Sequence, residues 1–461
     1  MAGSNSSSHR LLRARSLSPL ALAFTVFCCV SGGPIGLEPL VAETGPLLAL
    51  LLILVTPLVW AIPDALTSCE LAPAIPVEGG YVVWVRRAMG PFAGFLNAWW
   101  TWLYTIVDAA LYPVLFTSTL GHLLNYYFGN SILLDNELAH YAVSVCVVIL
   151  FTYLNIRGTR IVGMASTAFA LLIIAPFAVM SIVGLVRMAL ESKPFLPPGE
   201  IAPGELKQGL SAGLGIIMWN YLGWDALSTV AEEVDQPQKA YPRALLWGVP
   251  LVAAVYFFPT LVGVHYYPDA AQWQEGAWPN IARAVGGEWM AWGVIVASVV
   301  SPVALFTASL LASSRVPFVL AEERFLPRRL VDIHPKFGTP WLAILVCGGL
   351  YAILVYQKFG SLIQLNVVMY SAALCLETAA LLVLRVKEPN LHRPFKIRGG
   401  WPVLILIFLL PVSMIGLLTA LSIQEDGWQS LWLTGLALAS APVIYFVKQA
   451  YERSRRPASE N

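Results

Sequence analysis

Ser31-Gly32-Gly33-Pro34-Ile35-Gly36 stands in the middle of an apolar run that starts near residue 17. Three glycines and a proline in six positions lower helix propensity and remove one amide donor, so a helix entering this stretch has to stop. Trp219-Asn220-Tyr221-Leu222-Gly223-Trp224-Asp225 interrupts a second apolar run more weakly, with one glycine among aromatic and polar groups. What such breaks mean depends on the surrounding medium. The 461 residues are 57% hydrophobic and 12% charged, half the roughly 25% charge usual in a soluble domain. Charge-free runs at 161–186, 244–264, 289–314 and 401–424 are each long enough to cross a bilayer, which takes about 20 residues. These runs lack the polar face of a soluble core helix. The medium is lipid.

Twelve spans are expected, near 17–44, 46–72, 91–122, 139–156, 160–187, 208–233, 244–265, 287–314, 340–357, 361–384, 401–422 and 428–448. Of the 28 Lys and Arg, all but Arg187, Lys193, Lys207, Arg283 and Lys358 fall on the side of the N-terminus. Positive charge collects in cytoplasmic connections, so both termini are expected in the cytoplasm. Tails are expected at 1–16 and 449–461, with one membrane domain at 17–448 between them. Arg10, Arg13 and Arg15 before the first run look like the start of a signal peptide. No small-residue cleavage site follows, so that span is expected to be retained. A net charge of +1 gives no reason for a nucleic-acid partner. The six cysteines form no CxxC or Cys/His spacing, so no metal is expected.

The two breaks fall in segments 1 and 6. An offset of five gives the two segments opposite orientations, dividing the domain into repeats at 17–187 and 208–384, with two further helices at 401–448. Discontinuous helices are tolerated in a bilayer only where they line a cavity. A pair in corresponding positions of two halves points to an inverted repeat and a midplane binding site. Glycines that merely let helices pack closely are the plainer alternative.

Further motifs join the first break. They are Glu70-Leu71 with Pro76 and Gly79-Gly80-Tyr81, then Gly223-Trp224-Asp225 leading to Glu232-Glu233-Val234 and the stretch from Pro237 to Ala244. Ser314-Arg315 and Thr339-Pro340 complete the set. With these, the chain resembles the amino acid–polyamine–organocation transporter superfamily over nearly its whole length. The resemblance implies an all-α membrane fold of the leucine-transporter type, a 5+5 inverted-repeat bundle within twelve transmembrane helices, and alternating access. Trp219-Asn220 with Trp224-Asp225, the stretch from Val107-Asp108 to Phe116, and Glu377 followed by Arg393-Pro394-Phe395-Lys396-Ile397 are similar to the plant and protozoan polyamine/proton symporters. That branch also implies a carboxylate in segment 8, where this chain has the hydroxyl of Thr307.

A mid-helix carboxylate costs about 2.5–3.5 kcal/mol on insertion scales, so each one needs a reason. Asp108 lies near the centre of segment 3, Asp225 in the segment 6 break, Glu377 about two-thirds through segment 10 and Glu38 just after the segment 1 break. No Lys or Arg stands at comparable depth, so a cationic solute, a proton or both are expected to supply the counter-charge. The alternative is that each is protonated and hydrogen-bonded between helices. Asp108 and Asp225 are assigned to the substrate site, and Glu38 and Glu377 are charge or coupling candidates. Freed main-chain groups at Ser31, Gly32, Gly33, Ile35 and Gly36 are expected to meet the solute, the glycines allowing close approach. Trp219, Tyr221 and Trp224 are expected to wall it off and stack on ammonium groups, and the resemblance implies an aromatic gate at Trp219. Glu70, Glu232 and Glu233 are expected to anchor gates or loops.

The expected activity is secondary active transport at the plasma membrane, with a small amine or amino-acid solute and the lipid bilayer as partners. The first expectation is proton-coupled uptake of polyamines of the putrescine and spermidine kind. The other is symport or exchange of cationic or neutral amino acids, which Thr307 favours. No cofactor is expected beyond a coupling ion, a proton or sodium, with Ser298, Ser301, Thr307 and Ser309 as the hydroxyls that sodium would use. No nucleophile and base share a membrane depth, so an enzyme is not expected.

Overall fold

A computed structural model describes residues 17–197, 203–356 and 363–454. Most of the expected tails, 1–16 and 455–461, lies outside the described residues. Those described form helices and no strand, with two isolated backbone bridges, Leu17 to Val234 and Glu78 to Val230.

The first expected span is two helices, α1 (Pro19–Val30) and α2 (Glu38–Thr44). Ser18 caps α1 by accepting from Ala21 N–H, with Pro19 at the first helical position. Ser31 ends it in extended conformation, and Gly33 and Gly36 hold φ of 79° and 95°, which side chains resist. The second span is α3 (Pro46–Thr56) and α4 (Ile62–Ala74), joined by a π-turn at Pro57–Ala61. Pro57 has no N–H, and the Tyr221 hydroxyl takes the Ile53 carbonyl that this leaves free, at 2.9 Å.

A helix not anticipated, α5 (Gly80–Met89), runs into α6 (Pro91–Phe128), which continues past its expected end until Gly129 turns left-handed with φ 65°. A short α7 (Ile132–Asp135) precedes α8 (Glu137–Arg157) and α9 (Thr159–Leu190). The sixth span is α10 (Pro203–Asn220) followed by 3₁₀ turns at Ala226–Thr229 and Ala231–Glu233. The long α11 (Pro237–Tyr266), the unanticipated α12 (Trp278–Gly286), α13 (Glu288–Ser313) and α14 (Arg315–Glu322) follow. The chain ends with α15 (Trp341–Leu354), α16 (Ile363–Lys387), α17 (Gly400–Asp426) and α18 (Trp432–Ser454).

Nine described stretches are long and apolar enough to cross a membrane. The other three expected spans are the two broken ones and the shorter apolar α15. Burial sorts these stretches. The α13–α14 window is 78% buried, whereas those of α17 and α18 are 22% and 17% buried and present Leu406, Leu409, Leu436 and Val447 outward. Contiguous outward apolar surface of this kind suits lipid, not water. At the centre, α13 packs on α6 and α9, α1 on α9 and α11, and α16 on α5 and α6.

Candidate functional site

The two breaks meet. Asn220 Nδ2 donates to the Gly36 carbonyl at 3.4 Å, and the Tyr256 hydroxyl of α11 donates to the Asn220 carbonyl at 2.8 Å. A β-carbon on Gly36 would lie 3.5 Å from the Trp219 ring, and one on Gly223 would lie 3.1 Å from the Cys29 carbonyl. The contact at Gly223 is tight and both residues hold φ of 95°, so the junction favours glycine at both positions.

Two cavities adjoin this junction. The smaller, about 50 Å³, is lined by Gly32, Ile35, Tyr104, Asp108, Tyr112 and Trp219 among others, with room for a few water molecules. The larger, about 420 Å³, lies toward α12 and is lined by Gly36, Glu38, His122, Ser211, Glu275 and Ser298 among others. Ile35 and Trp219 line both. Trp219 is the partition between them.

Asp108 closes that partition. Its Oδ1 accepts from Trp219 Nε1 at 3.0 Å and from Asn366 Nδ2 at 3.1 Å, and its Oδ2 from the Tyr112 hydroxyl at 2.7 Å. Tyr112 sits one turn along α6 and its ring stacks against Trp219, centroids 6.5 Å apart. All three donors are neutral, and Asp108 makes no ion pair among the described residues. Hydrogen bonds from neutral donors can stabilise a carboxylate here but supply no counter-charge.

The remaining expected residues divide. Ser31 is buried and its Oγ accepts from Gly33 N–H at 3.1 Å. Gly32 lines the smaller cavity against Ser301, whereas Gly33 faces α9, where a β-carbon would lie 2.7 Å from Ile173. Glu38 accepts from Gly36 N–H at 2.7 Å and from Gly276 N–H at 3.3 Å. Tyr221 and Trp224 line neither cavity: Tyr221 is spent on Ile53 and Trp224 packs over Gly248 of α11. Asp225 lies behind the cavity wall, 2.9 Å from the Tyr370 hydroxyl, and Glu377 accepts from Asn97 Nδ2 at 3.0 Å. The segment 8 hydroxyls divide. Ser298 lines the larger cavity and Ser309 the smaller, Ser301 is buried against Gly32 with no partner for its Oγ among the described residues, and Thr307 bonds the Val303 carbonyl of its own helix at 2.7 Å. Among the described residues no three His, Cys, Asp or Glu gather as metal ligands.

On the side away from α12, buried ion pairs hold the bundle shut. Arg315 reaches Glu233 at 2.6 Å and Glu78 at 3.4 Å, and the Thr159 hydroxyl also donates to Glu233. Burial, with Glu233 beside it, pushes the Glu78 carboxyl well above the usual carboxylate range although Arg315 pulls the other way. Glu70 takes Arg385 in a fork at 2.6 and 2.5 Å, Arg393 at 2.9 Å and the Ile397 N–H at 2.9 Å. Gly80 accounts for part of the motif after segment 2, because a β-carbon there would strike Ser228 in the segment 6 turn.

Asn366 and Tyr370 were not singled out from sequence, nor were Tyr104 and Tyr112. Positions 366, 370 and 377 lie at helical spacing on α16, a polar stripe in an apolar span that sequence periodicity could have flagged.

Known proteins give the family. The amino acid permease family matches residues 17–442. The chain belongs to that family. A probable polyamine transporter of Arabidopsis thaliana is 36% identical over 409 residues, covering 88% of this chain and 80% of that one. Polyamine transporter PUT1 of Oryza sativa subsp. japonica is 33% identical over 438 residues, covering 95% and 80%. The large neutral amino acids transporter small subunit 2 of Mus musculus is 28% identical over 386 residues, covering 78% and 68%. This member of the amino acid permease family is therefore a multi-pass membrane transporter and not an enzyme.

Proposed function

We propose that this transporter carries polyamines such as putrescine or spermidine into the cell, driven by protons, as a twelve-span 5+5 bundle in the plasma membrane with both termini cytoplasmic. The observation that carries the reading is Asp108, a carboxylate facing a central cavity with no basic partner among the described residues. An ammonium group supplies the missing charge, and Trp219, Tyr104 and Tyr112 around it offer ring faces for cation–π contact. The names of the plant relatives agree.

Glu38 supports an amine over an amino acid. Freed amides at a broken helix can receive a solute's carboxylate. Here the Gly36 amide is already taken by Glu38 and the Gly33 amide by Ser31. A cargo without a carboxylate leaves both bonds in place. Thr307 and the likeness to the mouse transporter keep a second reading open, a neutral amino acid, whose carboxylate would have to displace Glu38.

The larger cavity, with Glu38 and Glu275, faces outside in this orientation, and the Arg315 and Glu70 ion pairs close the cytoplasmic end. Thr307 is bonded within its own helix and Ser298 lies at the other cavity, which leaves only Ser301 and Ser309 of the segment 8 hydroxyls beside the smaller cavity and favours a proton over sodium. Radiolabelled uptake into proteoliposomes tests the reading, using putrescine, spermidine, arginine, lysine and leucine with and without an inward proton gradient. Gradient-stimulated uptake of the polyamines supports it, and uptake of leucine alone refutes it.

A further inference from the structure

Behind the cavity, three elements converge on one phenol. Tyr370 Oη of α16 lies 2.9 Å from Asp225 Oδ1 in the segment 6 break and 2.5 Å from Asp64 Oδ2 in α4, and it accepts the Gly223 N–H at 3.2 Å. Asp64, Asp225 and Tyr370 are each exposed by 2% or less.

A phenol has one proton to give and two lone pairs to receive. Tyr370 can donate to only one of the two carboxyls. The other has to carry a proton of its own and donate it to Tyr370, whose second lone pair is filled by Gly223. One shared carboxyl proton completes the bonding at the Tyr370 hydroxyl, while Asp64 Oδ1 is buried with no hydrogen bond of its own among the described residues. With none, two buried carboxylates would compete for the single phenol proton, with backbone amides of Trp224, Asp225 and Ala226 as further donors but no counter-charge among the described residues.

Among the described residues no cation relieves this arrangement. The titratable groups around it are Tyr104 of α6, Tyr81 of α5, Cys29 at the end of α1, Cys69 of α4 and Glu377 of α16. None of these is a Lys, Arg or His. The Glu377 carboxyl lies within hydrogen-bonding reach of Asp225, and its buried Oε2 has no N–H or O–H donor among the described residues. Asn97 Oδ1 and Thr101 Oγ1 on α6 are likewise buried without partners. Orphaned buried acceptors of this kind call for a proton or an ordered water.

We infer that Asp64, Tyr370 and Asp225 form the binding site of the coupling proton, with Glu377 as its next acceptor. This rests on the proton-driven reading above. Transfer conserves one proton throughout. The Asp64 O–H breaks as Tyr370 Oη receives its proton, while the Tyr370 O–H breaks as its proton passes to Asp225. Asp64 ends ionised, Asp225 protonated and Tyr370 a neutral phenol. A repeat from Asp225 reaches Glu377, seven residues along α16 from Tyr370 and about 10 Å at 1.5 Å rise per residue. Coupling follows from position. Gly223 and Asp225 both belong to the break that walls the cavity, so opening the cavity moves a donor and an acceptor away from Tyr370 together.

The test uses purified full-length transporter in proteoliposomes and compares wild type with Asp64→Asn and Tyr370→Phe. Labelled putrescine exchange at equal pH, accumulation under a proton gradient, and internal acidification reported by pyranine on putrescine addition are read in parallel. The expected result is retained exchange in both variants, with loss of gradient-driven accumulation and of the pyranine signal. Wild-type accumulation and acidification in either folded variant overturn the site. Loss of exchange together with accumulation in both also overturns it, because the cluster would then serve structure or solute binding. If Asp64→Asn fails to give a monodisperse protein, Tyr370→Phe decides by the same criteria. A wild type that carries no polyamine refutes the cargo reading instead, and the pyranine arm is then run with whichever solute of the panel it does carry.

Discussion

The indole N–H of Trp219 donates to Oδ1 of Asp108 at 3.0 Å, tying the segment 6 break to the middle of α6. One bond thus joins the partition between the cavities to the carboxylate that faces the inner one. Under the proposed reading, a cation arriving at Asp108 would compete for the same oxygen, and this bond would have to yield as the partition opens.

Trp219→Phe keeps an aromatic partition and removes the donor. A hydrogen bond to a charged group is worth about 1.5–3 kcal/mol, so the closed partition loses that support. Faster putrescine exchange and leakier retention of bound label are expected in dissociation assays. Unchanged dissociation would mean that the bond does not hold the gate.

Gly33 acts through the backbone and α9. Its φ of 79° and the 2.7 Å approach of Ile173 to a β-carbon make Gly33→Ala doubly unfavourable, with a left-handed alanine alone costing about 1–2 kcal/mol. Lower thermal stability and lost uptake are expected. Ile173→Ala in the same chain should recover the steric part only. Full activity in Gly33→Ala would show that the break tolerates an ordinary residue there.

Removing one partner of a buried ion pair costs about 3–5 kcal/mol. Arg315→Ala, which strands Glu233, should therefore lower the melting temperature sharply and open the closed end to water-soluble thiol reagents. Glu78→Gln should be milder than Arg315→Ala, because burial and the neighbouring Glu233 disfavour the ionised form of Glu78 and glutamine is close to it in shape. The sign follows from a raised folded pKa. Glu78's contribution is present at low pH and is lost as pH rises through that value, so the stability of Glu78→Gln should depend less on pH than that of wild type. Thermal unfolding across pH checks both.

Orientation is tested by cysteines placed in the connections. Asn130 and Gly427 should label from outside intact cells, and Gln238 should not. The reverse pattern would overturn the charge asymmetry and with it the assignment of the larger cavity to the outside.

Much of this was legible in the sequence because bilayers penalise irregular backbone. Ser31 to Gly36 and Trp219 to Asp225 announced two breaks, and the structure brings them into contact at Gly36, Asn220 and Gly223. Asp108 stood out because a carboxylate in an apolar run is costly. Side-chain direction was not legible. Tyr221 and Trp224 share the break with Trp219, yet the proline in segment 2 draws one away and the open space over Gly248 takes the other. Tyr370 and Asp64 are inconspicuous singly, since a tyrosine in a span is ordinary and Asp64 lies near Pro63 at the start of α4. Their meaning comes from meeting Asp225 across three elements, which no local pattern encodes.

Asp108 is proposed to select a cationic solute. The most direct measurement is equilibrium binding of labelled putrescine and of labelled leucine to purified wild type and Asp108→Asn. Two unit charges about 4 Å apart at an effective dielectric near 20 attract by roughly 4 kcal/mol. Desolvation of the ammonium takes back a large share, leaving a loss near 2 kcal/mol, about thirty-fold in affinity. We predict that loss for putrescine and little change for any leucine binding. Equal putrescine affinity in the two proteins would contradict the account and make Asp108 a buried structural acid.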